Sequence, residues 1–132
     1  MRLILRWGLG IGVAIALIDA LAVEVARTLT DEDVVAGIVV VDQLISLALY
    51  GWAGYQIGGR LRELRPGLET AVLASLIAGL VAAAYGFWRP LEAPSLTSAV
   101  TVVAENVILA AAAAAVGVWL ATARRPAPPP ER

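Results

Sequence analysis

Four stretches of this chain, near residues 7–26, 34–57, 68–88 and 98–121, each run apolar for about 20 residues. That is the length a helix needs to cross a hydrocarbon core of roughly 30 Å. No other feature restricts the fold so strongly. Apolar runs of this length also occur in the cores of large soluble domains. A chain of 132 residues that is 60% hydrophobic and 16% charged, however, cannot clothe such a core in polar surface. In lipid, a lone segment satisfies its backbone amides and carbonyls only as a helix. The expected fold is therefore all-α: a polytopic membrane protein with one bundle of four transmembrane helices over residues 1–123. The stretch "RRPAPPPER" at 124–132 cannot continue a helix and is expected to be an extended, disordered tail.

Charge orients the bundle. All ten basic residues are Arg; eight of them (Arg2, Arg6, Arg60, Arg62, Arg65, Arg124, Arg125 and Arg132) fall on one side of the four spans, and Arg27 and Arg89 on the other. Basic residues in short loops stay in the cytoplasm, so both termini are expected to be cytoplasmic, in the cytoplasmic membrane of a bacterium. A cleavable signal peptide is the competing reading, because "MRLILRW" opens the chain and Ala20–Ala22 resembles a cleavage site. Asp19 in that apolar segment, and a length sufficient to span, speak against it. Net charge is −1, which leaves no basic surface for nucleic acid.

The segments between spans carry helix signals. "TLTDED" places Thr30 and acids before the second span, "RPGLE" suggests a turn at Pro66 and Gly67, and "RPLEAPSLTS" suggests a turn through two prolines before Ser98 caps the fourth. The chain has no Cys and no His, which removes disulfides, thiolate-bound metals, the commonest acid-base group and the usual haem ligand. No cofactor is expected.

What needs explaining is "VVVDQLISL", which sets Asp42 and Gln43 inside a lipid-compatible run. A shift of 63 residues, laying Val39 on Val102, brings Asp42 over Glu105, Gln43 over Asn106, Gly54 over Gly117 and Arg62 over Arg125. Self-similarity at a fixed spacing suggests a duplicated hairpin, two parallel repeats about an axis along the membrane normal. At about 1.5 Å per residue, Asp42, Glu105 and Asp19 fall in one layer, roughly 5–8 Å outside the midplane. Asp19 shares its helical face with Gly8 and Gly12, the small residues that let another backbone approach. Asp42, Ser46, Tyr50, Ala53 and Gln56 share one side of the second span, a polar track toward the cytoplasm. The other aromatics (Trp7, Trp52, Tyr55, Phe87, Trp88, Trp119) read as interfacial anchors, and Glu24 with Arg27 as an interfacial pair.

An ionised side chain at mid-helix costs at least about 2.5–3.5 kcal/mol, and no intramembrane Arg or Lys neutralises these acids. They must hold protons, water, a cation or another chain. The expected site is thus Asp19, Asp42, Gln43, Glu105 and Asn106, with Ser46, Tyr50 and Gln56 as the track. The function classes are a proton- or cation-coupled transporter or proton relay, and an accessory subunit of a homo-oligomer or of a larger membrane complex in the lipid bilayer. An intramembrane hydrolase built on Asp19 and Asp42 is a remote third, without a motif.

Overall fold

A computed structural model describes residues 1–88 and 95–123. The expectations placed on Arg89, the two prolines of the last connection and the 124–132 tail lie outside the described residues. All regular structure among the described residues is helical: α1 (Arg2–Arg27), α2 (Glu32–Leu61), α3 (Leu64–Trp88) and α4 (Leu96–Ala123). Each is long and apolar enough to cross a membrane, so the chain is a multi-pass membrane protein. The spans exceed the apolar runs because polar end turns continue the helices.

Of the acids expected at the start of α2, Asp31 is the cap: its carboxylate accepts from the amides of Asp33 (3.0 Å) and Val34 (3.3 Å). Two other helix ends differ from the expected ones. The turn before α3 is at Arg62 and Glu63. Pro66 and Gly67 lie inside the first turn of α3, where a missing N–H costs nothing. Arg62 closes α2 in the left-handed region (φ 57°), and the Glu63 amide reaches back to the Gly58 carbonyl at 3.2 Å. Finally, α4 starts before Ser98, with the Ala99 amide donating to the Ser95 carbonyl at 3.2 Å.

The helices pack around a square in the order α1, α2, α4, α3. Small residues decide the contacts. On α1, a Cβ at Gly12 would meet the Ala74 carbonyl of α3 at 2.7 Å, and one at Gly8 would meet Leu73 at 2.8 Å. On the other side, α2 and α4 touch backbone to backbone: Gly54 lies against Ala114, and Gly117 against Gly51 and Tyr55. In lipid, where burying apolar surface offers no drive, such close approach is what holds helices together. The last turns of α2, Gly54–Gly58, are wound as a π-helix, packed on Val118.

Cohesion is uneven along the membrane normal. The core, including Ile15, Tyr50, Ala53, Ile57, Ala71, Ala74, Ala110 and Ala114, fills the half nearest the chain termini. Among the described residues, none of α2 before Ser46 and none of α4 before Ala110 is buried. Gln43 is an example. It precedes Gly54 by 11 residues and so shares its side of α2 within about 20°. That side is closed by Ala114 lower down, yet Gln43 is exposed. The half of the bundle toward the 28–31 loop is therefore the more open one.

The 63-residue offset meets a mixed result. It exchanges the two closest seam contacts, Gly54 on Ala114 and Gly117 on Gly51. A two-fold axis through that seam would put α1 and α3 on opposite sides of it, whereas they lie side by side. The packing as a whole therefore does not support a duplicated hairpin.

Candidate functional site

The polar centre forms between α1 and α2. On α1, the buried stripe Gly8, Ile11, Gly12, Ile15 and Ala16 continues to Asp19 at helical spacing, which turns that half-buried carboxyl inward. On α2, Asp42 stands one turn before buried Ser46 and two before buried Tyr50. Asp19 and Asp42 are close enough to interact, with Ser46 and Tyr50 beside them. Among the described residues, no basic side chain acts on either acid.

The chemistry of this pair follows from donor counting. An ionised carboxylate only accepts; a carboxyl with its proton also donates. Oδ1 of Asp42 is buried and receives no hydrogen bond from any N–H or hydroxyl. Two facing carboxyls are relieved by a proton between them, by water or by a cation. Removing such a proton would leave two like charges close together at low dielectric, unless a cation took its place.

The remaining predicted residues do not gather there. Glu105 is exposed, and among the described residues no three acids come together. The reason is angular. Glu105 lies about 160° around α4 from Val103, which packs on Gly79 of α3, and about 180° from Ala114, which packs on α2. It faces lipid. Gln43 is exposed and Asn106 half-buried. Asn106 precedes Gly117 by 11 residues, as Gln43 precedes Gly54, so the two amides stand on the seam sides of α2 and α4 in the open half.

The track below the acids is interrupted. Ser46 and Tyr50 are buried, but Ala53 and Ile57 at 0% exposure close the way beyond them. Gln56, half-buried, falls in the π-helical turn, whose extra residue shifts the face that a regular helix would have given it. That turn went unforeseen, although Gly51, Gly54, Gly58 and Gly59 signalled a backbone under close contact. Also unforeseen is Tyr85 of α3, whose hydroxyl donates to Glu24 Oε1, the oxygen that Arg27 approaches at 3.7 Å. Among the aromatics, Trp7 and Trp52 pack on each other, ring centroids 4.9 Å apart.

Comparison with protein-family models, with curated proteins and with solved structures finds no match, so a functional reading has to rest on these residues.

Proposed function

We propose that this protein holds and exchanges a proton, or a small cation in its place, at the Asp19–Asp42 pair. It would act as a proton- or cation-coupled transporter or as one step of a proton relay. The observation that carries the reading is the juxtaposition of Asp19 with Asp42, one of whose oxygens is buried without a donor, and with no basic neighbour among the described residues. The open half of the bundle supports it, since it gives protons and water a route from the 28–31 loop side. With Tyr50, Ala53 and Ile57 closing the other half, the described arrangement corresponds to a site accessible from one side. Eight of ten Arg on the terminal side make that closed half cytoplasmic in the same reading, with the chain in a bacterial cytoplasmic membrane.

The reading is tested by reconstituting the protein in liposomes and following internal pH, and Na⁺ or K⁺ flux, under an imposed pH gradient. Wild type is expected to dissipate the gradient, and Asp19→Asn and Asp42→Asn to do so no faster than empty vesicles. A wild type that moves neither protons nor cations ends the proposal.

One observation favours the second reading, an accessory or assembly subunit. Glu105 turns its carboxyl toward lipid from within a span, a position that membrane helices normally reserve for a partner.

A further inference from the structure

We infer that a second copy of this chain docks on the outer face of the α2–α4 seam, with Glu105 of the two copies meeting at a two-fold axis along the membrane normal. The face is an open, apolar groove of ≈ 430 Å³ between Leu47, Ala48 and Gly51 of α2 and Leu109, Ala112, Val116 and Leu120 of α4. Glu105 extends the α4 wall by one turn. Glu105, Leu109, Ala112, Val116 and Leu120 follow a 4-3-4-4 spacing, the stripe along which one helix packs on another. All five are exposed. Ala48, Gly51 and Ala112 keep the groove shallow enough for a partner backbone to come close.

Hydrogen-bonding complementarity selects the occupant. The described spans offer no Lys, Arg or His at the depth of Glu105, about 7 Å from the middle of α4. A carboxyl group with its proton is both donor and acceptor, so it is complementary to its own image, and a two-fold axis along the normal brings Glu105 to Glu105 at equal depth. Asp19 and Asp42 already bring two carboxyls together inside one chain. The side of α4 that bears Glu105 has no helix over it, whereas the corresponding side of α2, which bears Asp42, is covered by α1. A neighbouring α4 supplies the missing cover.

The chain has no Cys, so single Cys substitutions report contacts without background. Full-length protein in vesicles of phosphatidylcholine and phosphatidylglycerol is treated with an oxidant and resolved by size. Ala112→Cys and Val116→Cys are expected to cross-link as dimers. Leu17→Cys on α1 and Leu80→Cys on α3, equally lipid-exposed at 67% and 63%, are expected to stay monomeric. In energy-transfer measurements between labelled copies, Glu105→Gln keeps a self-complementary amide and associates like wild type. Glu105→Lys weakens association by about tenfold or more. Ala112→Trp keeps every charge and blocks the same face with bulk, so it guards against a Lys variant that fails to insert. A monomeric wild type overturns the inference. So do cross-links of equal yield at Leu17 and Leu80, or undiminished association of an inserted Ala112→Trp chain.

Discussion

Helices α2 and α4 run parallel, touch along one seam and carry the same signature, an acid followed by an amide, Asp42–Gln43 and Glu105–Asn106. Their acids nonetheless end in different places. Each acid precedes its amide by one residue and so stands about 100° around the helix from it. With the amides turned toward the seam from both sides, the same rotation carries Asp42 to the side where α1 lies and Glu105 to the side where nothing lies. What an intramembrane carboxyl does is thus decided by the neighbouring helix rather than by its own local sequence. Asp42 acquires Asp19; Glu105 acquires lipid or another molecule.

The comparison breaks most severely at the seam that defines it. Gly117→Ile or Gly54→Ile would drive a side chain into the backbone of the facing helix, which has no flexible end to yield. Overpacking of this kind costs about 1–3 kcal/mol in cores that can repack, and the upper end or more is expected here. Thermal unfolding in mild detergent reads it. Gly10→Ala, Gly37→Ala and Gly86→Ala, whose added Cβ would meet nothing within 4 Å, are expected to be neutral or slightly stabilising. Equal losses in the two sets would mean that the seam does not hold the bundle.

The next effect separates the two acids. Asp42→Ala removes the facing group of Asp19 and is expected to cost about 1–3 kcal/mol, the range for a polar group left without a partner. Asp42→Asn retains size and hydrogen bonding, so its melting temperature is expected to stay close to that of wild type while proton exchange is lost. Glu105→Gln is expected to leave both the stability of the single chain and proton exchange unchanged. Should Glu105→Gln abolish exchange while Asp42→Asn does not, the assignments of the two acids must be reversed.

How far the sequence reached depends on what each inference needed. Span number and helical class follow from length and apolarity, and were legible. The inward aim of Asp19 was legible too, because Gly8, Gly12 and Ala16 mark a packing face and Asp19 keeps its spacing. So was the shared side of Asp42, Ser46 and Tyr50. The facing of Glu105 was not. Ala110–Ala115 are alike around the whole helix, so periodicity cannot tell which side of α4 is buried, and an offset that aligns residues does not carry over their neighbours. Gln56 failed differently: a regular 100° step was assumed through a segment that close contact with Ala114 and Val118 winds as a π-helix. The open half of the bundle was beyond reach, since it depends on how the helices pack on one another.

The smallest effect tests how that open half is tied together. Away from the seam, a polar link across α1 and α3 is the Tyr85 hydroxyl donating to Glu24, with Arg27 beside it. Tyr85→Phe keeps the ring and its edge contact with Trp88, ring centroids 6.4 Å apart, and removes only the donor. Glu24 retains Arg27 and lies near the membrane surface, so its carboxylate is not stranded. The expected loss is therefore about 0.6 kcal/mol, the average for an interhelical hydrogen bond in a membrane protein. It should appear as a small fall in melting temperature with proton exchange intact. A loss above about 2 kcal/mol, or a changed exchange rate, would show that this contact sets the spacing of α1 and thereby the meeting of Asp19 with Asp42. The control of the acid pair would then lie in the loop-side half rather than in the glycine seam.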